Sequence, residues 1–172
     1  MYRKFNLFLF TLMITAACVD STSRQENNQT HDYRFILMRH AEKEAGEDPG
    51  LTTEGALRAN RLAQLLTQES ISAIYSTDYK RTQATVTPLS DVSTVAIESY
   101  MPMDPQFLPT IFSKYPKGGL FVIAGHSNTI PRLVNQLVGD DRFEELDESD
   151  YNDFFIVSCT ELGTGSVIQL TY

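Results

Sequence analysis

Arg39-His40-Ala41-Glu42-Lys43 places a guanidinium, an imidazole, a carboxylate and an ammonium within five positions. A guanidinium forks onto two oxygens of a phosphate-like anion, and an imidazole beside it can act as base or nucleophile. An isolated Arg-His pair is a weak signal, because the same pair is common where a strand runs out into a solvated loop. Two further stretches repeat the chemistry: Ser76-Thr77-Asp78-Tyr79-Lys80-Arg81-Thr82 and Gly125-His126-Ser127-Asn128-Thr129. Each of the three follows an apolar run, so three strands end in residues suited to an oxyanion. Ligands of open α/β sheets bind beyond the carboxyl ends of the strands, and that recurrence carries the functional reading.

The elements that must position these residues are legible in the hydrophobic pattern. Tyr33 to Met38 reads as a buried strand, with a loop rich in Gly, Pro and acids over Glu44 to Gly50. The spacing of Ala59, Leu62, Ala63 and Leu66 predicts a helix from about Thr52 to Gln68. Thr52 serves as its N-cap, and Gly55 in its first turn permits close approach of another backbone. Ile71 to Tyr75 is a short strand. Thr77 or Asp78 then caps a helix that Pro88 stops near Thr87, which puts Arg81 in a first turn where free amides also favour an anion.

Thr94 to Ile97 reads as a further strand. Asp104-Pro105 opens a helix with Phe107, Leu108, Ile111 and Phe112 on one face. Gly119 to Ala124 is the clearest buried strand. The helix after it carries Ile130, Leu133, Val134 and Leu137 to Gly139, and tolerates Pro131 in its first turn. An acidic loop, Asp140 to Asp150, precedes two closing strands at Phe154 to Ser158 and Ser166 to Thr171. Strands alternating with helices argue for one α/β domain, and 42% hydrophobic residues in 172 suffice for its core.

The domain is expected to span residues 33–172. Residues 1–17 read as a signal peptide: Arg3 and Lys4, an apolar run from Phe5 to Ile14, then small residues. The run is too short to cross a bilayer. Small residues before Cys18 resemble the lipobox of bacterial lipoproteins, which implies cleavage there and acylation of Cys18; the alternative is an ordinary exported protein cut after an Ala-x-Ala-like site. Residues 18–32 are then the lipidated cysteine and a polar tether that includes His31. The expected location is exported and membrane-anchored, in the periplasm or at the cell surface. Cys159 is left alone in an apolar strand, as a core residue and not a nucleophile.

Formal charge is -8, and removing residues 1–17 takes away two basic residues and no acids, leaving -10. That balance argues against nucleic acid as a partner. It also sets apart Arg39, Lys43, Lys80 and Arg81, four of the twelve basic residues that remain, gathered at strand ends.

With those residues in view the chain resembles the histidine phosphatases of the phosphoglycerate-mutase-like superfamily, mutase branch. Arg39-His40-Ala41-Glu42 is similar to the family's Arg-His-Gly-Glu, and Leu51-Thr52 with Gly55 to its Leu-Thr/Ser-x-x-Gly. Ser76 through Arg81-Thr82 is similar to its second-arginine segment, and Gly125-His126-Ser127 to its Gly-His segment, all in family order over about residues 33 to 139.

The resemblance implies a three-layer α/β sandwich, a mostly parallel central sheet flanked by helices. It implies His40 as the nucleophile forming a phosphohistidine, with Arg39, Arg81 and His126 on the phosphoryl oxygens. Lys43 and Asn128 are further phosphate contacts. It also implies a proton donor among Asp91, Glu98 and Asp104, of which Asp104 is preferred and Glu98 next. Ala41 stands where glycine is usual, a mild change if its φ is negative, and Lys43 where a small hydroxyl residue is common.

The expected activity is phosphomonoester hydrolysis on a small phosphorylated substrate, with no cofactor and no metal. No His-x-x-x-His or clustered cysteines suggest a metal site. The alternatives are a phosphomutase and a phosphate- or phosphoglycan-binding lipoprotein. Only 44 residues separate Arg81 from His126, leaving little room for the large insertions by which mutases enclose substrate. A partner of phosphohistidine proteins fits less well, because export removes the chain from cytosolic phosphorelays.

Overall fold

The apolar runs pair into one six-stranded sheet in a computed structural model that describes residues 32–172. The expected signal peptide, Cys18, His31 and nearly all of the tether lie outside the described residues. In chain order the strands are β1 (Tyr33–Arg39), β2 (Ile71–Ser76), β3 (Ile97–Ser99), β4 (Gly119–Gly125), β5 (Asp153–Cys159) and β6 (Ser166–Thr171). They lie side by side as β3-β2-β4-β1-β5-β6. β3, β2, β4 and β1 run parallel, and β5 and β6 close the sheet antiparallel.

Four helices cover both faces, completing the three layers. α1 (Thr53–Leu66) and α2 (Lys80–Ser93) pack Leu62, Ala63, Leu66, Val86 and Leu89 against Ile36, Met38, Ile74 and Val122. α3 (Phe107–Lys114) and α4 (Thr129–Val138) pack Phe107, Leu108, Ile111, Ile130 and Leu133 against Phe35, Leu37, Phe121 and Ile123. β1 and β4 are therefore buried on both sides, which is why their sequences are continuous apolar runs.

Four sequence expectations need correction. Pro88 does not stop α2, which continues to Ser93 and buries Leu89 completely; packing of that residue offsets the one helical hydrogen bond proline cannot donate. No side chain caps α2, whose cap position is Tyr79. Because the helix runs long, Thr94 becomes its left-handed cap at φ 60°, and β3 starts at Ile97 instead of Thr94. Asp104 also does not open α3 directly: its carboxylate accepts from the Gln106 amide at 2.9 Å in a preceding turn, and the helix begins at Phe107.

The sheet register brings two of the motifs together. Arg39 is paired with Gly125, and the His40 amide donates to the Gly125 carbonyl at 2.9 Å. The third motif arrives because β2 flanks the other side of β4.

Candidate active site

The loop after β1 is held from several sides. Thr52 caps α1 through the Gly55 amide at 3.1 Å, while its own amide donates to the Glu42 carbonyl at 2.9 Å. A Cβ on Gly55 would collide with that same Glu42 carbonyl, so glycine there is a packing requirement. The Glu42 carboxylate takes the Arg58 Nε at 3.0 Å and Nη2 at 2.6 Å. Arg58 Nη1 in turn reaches the Tyr172 carbonyl. Ala41 is fully buried with its amide on Thr85 Oγ1 at 2.9 Å. Among the described residues Thr94 is the one non-glycine with positive φ, so alanine fits at position 41 without strain.

His40 is 3% exposed, more deeply set than its place at a strand end suggests. Its Nδ1 lies 2.8 Å from the Ala41 carbonyl. A carbonyl only accepts, so Nδ1 carries the proton and Nε2 keeps its lone pair. Burial, together with the charges of Arg39 and Arg81, lowers its pKa to about 4. His126 sits with its ring centre 5.5 Å away, nearly perpendicular. Its Nε2 lies 3.0 Å from Thr77 Oγ1, and Thr77 donates to Thr82 Oγ1, which ends the chain on backbone carbonyls. His126 Nε2 is thus the donor. Its pKa is also lowered to about 4, by burial first and then by Arg81 and Arg39.

These values predict that NMR titration of the His40 ring gives a midpoint near pH 4; a midpoint at the ordinary 6.5 would contradict the burial and charge described. The unfolded imidazole titrates near 6.5, so between that pH and 4 the unfolded chain binds more protons than the folded one. Stability is complete above pH 6.5 and falls as pH drops toward 4, by about 3 kcal/mol from His40.

The two arginines are employed differently. Arg39 is 1% exposed. Its Nη1 donates to the carbonyls of Asp147 and Asp150 at 2.9 and 3.0 Å, and its Nη2 to Glu148 Oε2 at 2.7 Å. Its Cζ lies 4.3 Å from the centre of the Tyr151 ring. Glu148 Oε1 also receives the Ser127 hydroxyl at 2.5 Å. One carboxylate thus takes donors from both motifs. Arg81 is less committed: its Nη1 is 3.9 Å from Asp48, and its guanidinium stacks 4.5 Å from the Tyr79 ring centre. The Nε–H of each arginine is buried without a partner.

Arg81, His126 and Asn128 line one cavity of about 260 Å³ with Tyr79, Pro102, Met103 and Thr129. Asn128 stands at the start of α4 without capping it, so its amide is not spent there. Lys43 is half-buried, bridged to Leu51 by its backbone, and its charge helps hold Glu148 ionised. The expected proton donors are not in this cluster. Asp104 and Glu98 line a different cavity, where Glu98 pairs with Lys114 at 2.8 Å. Asp91 lines a groove between α1 and α2. The Cys159 thiol is buried and pushed up to about 11.

Thr77 and Tyr79 lie inside a motif already singled out, without a role assigned to their side chains, whereas Glu148 and Tyr151 come from the acidic loop and its edge, where no motif pointed to the site.

Residues 35–100 match the family model described as histidine phosphatase superfamily (branch 1). No curated protein matches the chain in sequence. Among solved structures, the chain is similar to a mycobacterial glucosyl-3-phosphoglycerate phosphatase at TM-score 0.68 and 12% identity, over 81% of this chain and 99% of that one. It is also similar to the protein histidine phosphatase SixA complexed with tungstate, at TM-score 0.62 and 18% identity, over 80% and 96% of the two chains. At such identities the likeness is one of fold.

Proposed function

We propose that the chain is a histidine phosphatase, as the match of residues 35–100 to that superfamily's model suggests, and that it hydrolyses a phosphate monoester through a phosphohistidine at His40. The observation that carries this reading is the state of His40. Its proton is fixed on Nδ1 by the Ala41 carbonyl, and its Nε2 lone pair stands free beside two guanidiniums that each keep a buried, unpartnered N–H. A buried donor without an acceptor costs about 1–3 kcal/mol. An oxyanion would relieve both.

In the proposed reaction the Nε2 lone pair attacks phosphorus as the ester P–O bond breaks. Water then attacks the phosphohistidine, and the P–N electron pair returns to Nε2. Phosphoryl transfer depends mainly on in-line positioning and on positive charge around the equatorial oxygens. Arg81 supplies that charge, Arg39 adds to it once its fork is shared with substrate, Asn128 donates a hydrogen bond, and His126 does so once its Nε2–H turns from Thr77 to the substrate. Export and lipidation at Cys18 remain part of the proposal, on the sequence alone. Among the described residues no helix is long and apolar enough to cross a membrane.

The test is steady-state release of inorganic phosphate from a panel of phosphomonoesters, with and without a chelator. Turnover that survives chelation is expected, because the proposed charge comes from side chains. Loss on chelation with recovery on adding zinc or magnesium would refute that source of charge. A second reading, a phosphate-binding protein, is favoured by Arg39 already being held by Glu148; it predicts phosphate binding without turnover of any ester.

A further inference from the structure

We propose that the ester cleaved at this site has a phenolic leaving group, so that the substrate is an aryl phosphate monoester. The inference rests on the phosphatase reading and adds the leaving group to it. One line of support is shape. The cavity holding Arg81 and His126 shares two walls, Tyr79 and Pro102, with a neighbouring cavity of about 420 Å³. Met101, Pro102 and Met103 follow one another on the turn between β3 and α3, and Met101 is 74% exposed, Met103 58% and Tyr79 42%. Single exposed apolar residues are ordinary, but a contiguous group beside a polar pocket marks a binding surface. Flexible thioethers adapt well to the edge of an aromatic ring. Of the polar side chains in the second cavity, Thr77 is engaged by His126 and Thr82, Tyr100 donates to the Ala124 carbonyl and Asp78 accepts from Gln83, which leaves the Ser99 and Tyr79 hydroxyls.

The other line is acid–base chemistry. None of the described residues lining the anion cavity is a carboxylic acid, and Asp78, which lines the neighbouring one, already accepts from Gln83. Glu148 is held ionised by Ser127 and Arg39, and Asp48 faces Arg81 and Lys80. Asp104 and Glu98 line a third cavity on the far side of Ser99, Tyr100 and Met101, where Glu98 is paired with Lys114 and Asp104 accepts from the Gln106 amide. An alkoxide leaving group is strongly basic and needs a proton as the bond breaks, whereas a phenolate departs with far less help. Here His40 Nε2 forms the P–N bond while the P–O bond to the aryl oxygen breaks, its electron pair leaving on the phenolate. Water protonates the phenolate, and a second water attacks phosphorus and releases inorganic phosphate, so the net reaction consumes one water.

The experiment compares kcat/KM for phenyl phosphate, a phosphotyrosyl peptide and glycerol 2-phosphate, with the variant Met101→Gln alongside the wild type. An aryl substrate is expected to exceed glycerol 2-phosphate by about 10²-fold or more, the scale of missing general-acid help. Phenyl phosphate and the peptide run side by side tell a free aryl ester from a protein-borne one, and turnover of either meets the expectation. Met101→Gln should raise KM for the aryl substrate and leave competitive inhibition by inorganic phosphate unchanged, because Met101 lines the second cavity and not the anion cavity. Aryl and alkyl esters cleaved within threefold of each other would overturn the inference and leave the phosphatase intact. An unchanged aryl KM in the variant would overturn the apolar contact. No turnover of any ester, with no phosphoenzyme trapped, would overturn the phosphatase reading itself and this inference with it.

Discussion

Replacing His40 with asparagine lowers turnover to below about a thousandth of the wild-type rate, because loss of a covalent nucleophile removes several kcal/mol of barrier reduction. Asparagine is the informative choice. Its amide N–H can donate to the Ala41 carbonyl as Nδ1 does now at 2.8 Å, so the loop after β1 keeps its hydrogen bond and stability changes by about 1 kcal/mol or less. An imidazole held neutral, with its pKa lowered to about 4, has no ion pair to lose. The variant should also fail to form the acid-labile, base-stable phosphoenzyme that rapid quenching of the wild type should trap. Turnover above about a tenth of wild type, in a variant whose thermal midpoint is unchanged, would remove His40 from the nucleophile's role.

Arg81→Lys is expected to lower kcat/KM by about 10²–10³, the scale of one lost donor to a developing oxyanion. The reason lies in how the two arginines are spent. Arg39 already donates to Asp147, Asp150 and Glu148, whereas Arg81 has one distant carboxylate at 3.9 Å and a buried Nε–H with no acceptor. Arg81 therefore has the spare fork, and lysine keeps its charge without its two-pronged geometry. A companion measurement checks the electrostatics, in a variant whose unchanged thermal midpoint excludes misfolding. Arg81 contributes to lowering the pKa of both His40 and His126, so Arg81→Gln should move both titration midpoints upward from about 4. Unmoved midpoints with full activity would place the phosphate elsewhere.

Much of this architecture was legible because local chemistry dictates it. The continuous apolar runs of β1 and β4, the stripe of α4 and the stop at Gly139 each depend on residues close in sequence. So do the Thr52 cap and the glycine at position 55, and each appears where the pattern put it. The same holds for the motifs: a strand that ends in Arg39-His40 must present them at its carboxyl edge, whatever it pairs with.

What only the tertiary structure decided is every contact whose partners are far apart in the chain. β1 lies against β4 in a register that seats His40 on Gly125, and burial there, not the residue type, sets the protonation of both histidines. Glu148 reaches Arg39 across 109 positions, from an acidic loop in which no motif pointed to the site. Asp104 lies elsewhere for the complementary reason. An aspartate before a proline predicts a capped turn, and the cap is there, but the direction a carboxylate takes from a turn depends on how β3 and α3 pack around it. Short-range preferences determined the elements and the residue types at their ends; long-range packing decided which of those ends meet.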